Sequence, residues 1–189
     1  MKRVFLIHGW DGNPNNHWFP WLKKELKSKG FEVITPAMPN KSKPKIETWV
    51  PYLAEQVGKL DKDTYFIGHS IGCQTILRYL ERTKGKCGGC IFVAGFFTLN
   101  LDEETEDDKA IAKPWLETPI NFTKVKEKTN NFFAIFSDDD EVVPTNNAKM
   151  FKKNIGAKTL IVKNRGHFTM ETDINKIPEV LEELLKMTQ

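Results

Sequence analysis

Six short apolar runs alternate with longer amphipathic stretches, and this alternation restricts the fold more than any other feature of the chain. The runs are Arg3–Ile7, Phe31–Thr35, Thr64–Ile67, Cys90–Ala94, Phe132–Phe136 and Thr159–Val162. They are rich in β-branched and aromatic residues and almost continuously apolar, as strands buried on both faces of a parallel sheet are. Helical patterns fill the intervals at Trp18–Lys29, Thr48–Leu60, Gly72–Thr83, Asn146–Asn154 and Ile177–Met187. Gly30, Gly85 and Gly156 stand near the ends of three of them and Pro178 in the first turn of the last. That is the punctuation helices favour. The pattern predicts one α/β domain over residues 1–189, with a mainly parallel central sheet flanked by helices.

One stretch breaks the rhythm. Thr98–Asn131 separates two strands by more than a simple crossover needs, and it contains the acidic run Leu101–Asp108. Carboxylates favour helix N-termini, so the run reads as a solvated helix start. Further along, Trp115, Leu116, Ile120 and Phe122 call for burial. A segment of this length suits either plain packing or a short lid over a site.

Composition removes several classes of function. The chain has 28 basic and 25 acidic residues, a net charge of +3, with no basic block on one segment. Neither nucleic acid nor an anionic membrane is therefore an expected partner. No apolar run approaches the ~18–20 residues that span a bilayer. The start, Met1–Gly9, lacks the apolar body and cleavage site of a signal peptide, so the expected location is the cytoplasm. Three cysteines do not make a disulfide framework. Cys87-Gly-Gly-Cys90 has CxxC form, which leaves a redox role open. No second Cys/His pair sits at zinc-ligand spacing, and Cys90 opens an apolar run, where a free cysteine behaves as a small hydrophobe. No metal and no cofactor are expected.

The strongest local signal is Gly68-His-Ser70-Ile-Gly72, with a strand run before it and a helical pattern after it. In that setting G-x-S-x-G places the serine on a tight strand-to-helix turn with no room for flanking side chains. The hydroxyl is lifted clear of the sheet, and its backbone lies at a helix N-terminus, where N–H groups and the dipole favour an oxyanion. A serine hydroxyl is a weak nucleophile and needs a base, which in turn needs an orienting acid. The chain order for this topology is serine, acid, histidine. Of the four histidines, at 8, 17, 69 and 167, only His167 follows Ser70 at a distance, in a glycine-containing loop after a strand run. The acid must lie between them at a strand end, and Asp138-Asp-Asp-Glu141 before Pro144 is the obvious segment. His8 and His69 read as structural, and His17 as a helix-start cap.

The ordered set Val4–Trp10, Gly68–Gly72, Asp140–Pro144 and Gly166–Phe168 resembles the α/β-hydrolase superfamily. The small size and the spaced His8–Gly12 and His17–Trp18 are similar to the compact serine hydrolases of the RBBP9/YdeN type. The resemblance covers nearly the whole chain. It implies a Ser70–Asp140–His167 triad, with Asp140 chosen by the D-x-x-V-P register and Asp139 as the alternative one residue away. It also implies an oxyanion hole from the backbone N–H groups of Ile71 and Trp10. The 98–131 insert stands where larger members carry a cap domain. Trp10, Trp18 and Trp115 are the residues expected to line the substrate pocket. The expected substrates are small carboxylic esters, with amides or aminoacyl compounds as the nearest alternative.

Three rival readings stand beside this one. Asp138–Val143 after an apolar strand also resembles the phosphoryl-accepting motif of the haloacid-dehalogenase superfamily, but too little chain follows to complete its magnesium site. An EF-hand loop fails where Val142 and Val143 stand. A non-catalytic binding module on a hydrolase scaffold is the remaining alternative, because fold does not fix function.

Overall fold

In the computed structural model, which describes residues 1–189, all six apolar runs are strands of one parallel sheet. They are β1 (Arg3–Ile7), β2 (Glu32–Ile34), β3 (Thr64–His69), β4 (Gly89–Val93), β5 (Phe132–Ser137) and β6 (Lys158–Val162), in spatial order β2-β1-β3-β4-β5-β6. Every residue of β3, β4 and β5 is buried, which is why those runs carry no polar alternation. The polar ends differ from the sequence reading. β3 runs on to His69 and β5 to Ser137, because the ladders continue past the apolar residues, pairing His69 with Val93 and Ser137 with Val162.

The helices are α1 (Phe19–Ser28), α2 (Ile46–Val57), α3 (Ile71–Arg82), α4 (Glu106–Glu117), α5 (Phe122–Lys126), α6 (Asn146–Ile155) and α7 (Pro178–Met187). The crossover from β1 to β2 runs one way along the sheet, and all later ones run the other. Right-handed crossovers therefore put α1 on one face and α2, α3 and α6 on the opposite face. Contacts agree: α1 touches α7, while α2, α3, α5 and α6 form a continuous row. The direction reverses between β1 and β3. The crevice beyond the carboxyl ends of those two strands is where an open α/β sheet binds its ligand.

The 98–131 stretch contains α4 and α5. The acidic run does start a helix: Thr105 caps α4 by accepting the Asp108 N–H, and Glu106, Asp107 and Asp108 fill the first turn. At the other end of α4, the buried Arg78 of α3 donates from Nη2 to the carbonyls of Trp115 and Thr118, both at 2.9 Å. Burial lowers the Arg78 pKa to about 10. Its charge complements the negative end of α4.

The β3–α3 turn positions the site. Ser70 has φ 52° and ψ −122°, outside the regions open to most side chains. A Cβ on Gly72 would lie 2.3 Å from the Ile7 carbonyl oxygen, and one on Gly68 would lie 2.8 Å from the Cys73 nitrogen. Both glycines are required by close backbone approach. Gly72→Ala should lower unfolding stability by about 1–3 kcal/mol, the ordinary cost of overpacking a rigid site. Urea titration followed by circular dichroism measures this, with unchanged stability the contrary result.

Candidate active site

Five loops converge at the carboxyl ends of the strands. The β3–α3 turn presents Ser70, half-buried, at the edge of two adjoining cavities. The Ile71 N–H, first in α3, has no intrahelical acceptor. The Trp10 N–H, in the loop after β1, donates to no backbone carbonyl. Trp10, Ser70 and Ile71 all border one cavity.

His8 shapes the Trp10 loop from beneath. The Met38 N–H donates to His8 Nε2 at 2.9 Å, so the ring proton sits on Nδ1 and is donated to the Gly9 carbonyl at 2.7 Å. Burial lowers the His8 pKa and keeps the ring neutral. The structural reading of this histidine holds.

The acidic run resolves into separate tasks. His167 Nδ1 lies 2.9 Å from Asp140 Oδ2, and the Asp140 side chain is only 1% exposed. The other oxygen, Oδ1, accepts the N–H groups of Val142 and Val143 at 3.0 and 2.9 Å. A carboxylate held this way fixes the histidine with its proton on Nδ1 and its Nε2 lone pair free. Asp139 faces elsewhere: its Oδ1 accepts the Ser137 hydroxyl and the N–H groups of Arg165 and Gly166. Asp138 accepts the Asn164 N–H at 3.0 Å. Thus the two aspartates before Asp140 hold the backbone that leads into His167. The sequence reading missed this, because nothing local reveals that residues 138–139 and 164–166 meet.

His69 completes the support. Its Nε2–H donates to the His167 carbonyl at 2.8 Å, and burial, with His167 alongside, lowers its pKa well below the ordinary value. His17 does not cap α1. The Met170 N–H donates to its Nδ1 instead, at 2.9 Å. The Ser70 hydroxyl is not bonded to His167; both line one cavity, a spacing common in unliganded sites.

Two cavities meet at Ser70. One, about 250 Å³, is walled by Trp10, Ile71, Phe96, Leu99, Leu101 and Val142 among others. The second, about 300 Å³, is lined mostly by polar residues and glycines and includes His167. Trp10 lies on both. Trp18 and Trp115 lie on neither, and the expectation for them is corrected. Trp18 is fully buried against Phe19 with ring centroids 4.5 Å apart. Trp115 is buried edge-on to Trp49, with Nε1 donating to the Pro44 carbonyl. Their bulk stabilises the core and the root of α4. The wall residues Phe96, Leu99 and Leu101 were not foreseen, since an apolar residue in an insert gives no sign of which cavity it borders.

No three His, Cys, Asp or Glu side chains are grouped to hold a metal ion. Cys87 and Cys90 are buried thiols with sulfur atoms 3.8 Å apart, at the amino end of β4 and so far from Ser70 along the sheet. No helix is long and apolar enough to cross a membrane.

A six-stranded parallel sheet with a strained serine between β3 and α3 is the architecture of an α/β hydrolase. The sequence profile described as serine hydrolase matches residues 4–186, and the chain belongs to that family of enzymes. It is 34% identical to YdeN of Bacillus subtilis (strain 168) over 190 residues, covering 97% of this chain and 94% of YdeN. It is 24% identical to the serine hydrolase RBBP9 of Rattus norvegicus over 186 residues, covering 97% and 95% of the two chains. The crystal structure of the B. subtilis ydeN product superposes with a TM-score of 0.90 at 31% identity, covering 100% of this chain and 99% of that one.

The Ser137 hydroxyl, followed by the Gly166 and Arg165 N–H groups, holds the Asp139 carboxyl below the usual carboxylate range. A depressed folded-state pKa contributes stability above the unfolded value, near 3.9, and loses it as pH falls through the folded value. Asp139→Asn should therefore be less stable than wild type at pH 6, with the gap closing below about pH 4. Urea unfolding at stepped pH tests this; a gap independent of pH would contradict it.

Proposed function

We propose that the protein hydrolyses small carboxylic esters through an acyl-enzyme on Ser70, with His167 as base and Asp140 as its orienting acid. The observation that carries this reading is the 2.9 Å Asp140–His167 contact, beside a cavity that also holds Ser70. Ser70 Oγ attacks the ester carbonyl while His167 Nε2 takes the hydroxyl proton. The N–H groups of Ile71 and Trp10 receive the developing oxyanion. The tetrahedral adduct collapses as His167 returns the proton to the departing alkoxide, leaving an ester on Ser70. Water, deprotonated by the same nitrogen, then attacks the acyl carbon; the proton passes back to Ser70 Oγ as the acid leaves. Asp140 stays ionised throughout and stabilises the imidazolium.

The apolar cavity suits the acyl group. At about 250 Å³ it falls below the ~300–1,000 Å³ of drug-sized pockets, which favours short acyl chains. Leu99, Leu101, Glu104, Asp108 and Ala112 bring the 98–131 insert to this wall, and we read the insert as its lid. Amides and aminoacyl compounds are the nearest alternative substrates. Three free thiols accord with work in the reducing cytoplasm.

A fluorophosphonate probe should label the protein, and Ser70→Ala should abolish labelling and hydrolysis of p-nitrophenyl butyrate. Asp140→Asn should lower kcat by about 10⁴, as loss of a triad acid does, whereas Glu141→Gln should change it less than about threefold. A folded protein that takes up no probe and turns over no ester would instead be the binding module.

A further inference from the structure

The two cavities at Ser70 differ in chemistry, and only one touches the base. The apolar cavity contains Ser70 and Ile71 but not His167, whereas the polar one contains Ser70 and His167. A departing alkoxide takes its proton from His167 Nε2 and must lie within hydrogen-bond reach of it. The alcohol portion of the substrate therefore belongs in the polar cavity and the acyl portion in the apolar one.

His17 and Glu171 are among the residues that line the polar cavity. Because the Met170 N–H donates to His17 Nδ1, the neutral ring carries its proton on Nε2. Burial lowers the His17 pKa, which keeps the ring in this neutral form. No acceptor within the protein takes that second N–H. His17 is held at φ 55°, in the left-handed region. Glu171 uses Oε2 to accept the Thr169 hydroxyl at 2.9 Å, and its Oε1 has no partner. The wall thus offers one fixed donor and one carboxylate acceptor. A hydroxyl group answers both, accepting from His17 and donating to Glu171. An alkyl chain answers neither and would leave the half-buried His17 N–H without a partner. An anionic leaving group would meet Glu171 and Asp11 as like charges.

We infer that the polar cavity is the leaving-group site and that His17 and Glu171 select esters whose alcohol carries further hydroxyl groups, of the glyceryl type. This rests on the acyl-enzyme reading of Ser70, which supplies the direction of departure.

Glyceryl monobutyrate and n-propyl butyrate share an acyl group and a three-carbon alcohol and differ in two hydroxyls. Their kcat/KM ratio, each corrected for its rate of alkaline hydrolysis, cancels the folded fraction of any preparation. Wild type should prefer the glyceryl ester by at least about tenfold, and His17→Asn should cut that preference by on the order of fivefold, the effect of one hydrogen bond. Asparagine tolerates the left-handed backbone. Glu171→Gln, an exposed substitution, should lower the same ratio. A wild-type ratio near one, or a ratio unmoved in both variants, would overturn the inference while leaving ester hydrolysis intact. If wild type hydrolyses neither ester and takes up no fluorophosphonate, the acyl-enzyme reading itself fails, and the inference falls with it.

Discussion

The approach of Gly72 to the Ile7 carbonyl is the contact on which the rest of the site depends. It brings the first turn of α3 against the end of β1, and α3 can lie there only if the chain leaves β3 through the strained turn at Ser70. The strain is therefore a condition of packing rather than a local peculiarity of the serine. The same contact sets the loop after β1 beside the start of α3, so Trp10 and Ile71 border one cavity with Ser70. The sheet reverses its winding direction at this place, so no crossover connection covers it.

A second joint binds the loop after β5 to the loop after β6. Asp138, Asp139 and Asp140 each accept from a different part of residues 164–167, with Ser137 reinforcing the set. His69 adds a bond from the serine's own strand to the His167 carbonyl. Asn147 extends the joint toward the insert: its Oδ1 accepts the Phe97 and Thr98 N–H groups while its Nδ2 donates to the Thr98 and Pro144 carbonyls. The root of the insert and the acid loop are thus held by one buried amide. A fully satisfied group of that kind is costly to disturb.

Much of this was legible in the amino-acid sequence, for physical reasons that also set its limits. Buried parallel strands need unbroken apolar runs, so Phe132–Phe136 announced itself. Its extension to Ser137 did not, because that residue is held by ladder bonds and by Arg165, not by apolarity. The serine turn carries steric requirements that only glycine meets at residues 68 and 72, which makes it readable without a structure. Which carboxylate faces His167 depended on loop register, and three adjacent aspartates offered the same chemistry to any local argument. The tryptophans marked the limit most plainly. Trp10, Trp18 and Trp115 look alike as residue types, yet only Trp10 borders the cavities at Ser70, a difference set by the packing of distant elements.

Arg78 gives α3 a part in two alignments at once. Its guanidinium grips the carboxyl end of α4 two turns along from Ile71, whose N–H lies beside the serine. Over those seven residues an α-helix rises about 10 Å with almost no freedom to bend. The α4 side of the apolar cavity and the first amide of α3 are therefore mounted on one rigid axis. A breathing motion of the sheet carries both together, and their spacing has the tolerance of a helix rather than that of a loop.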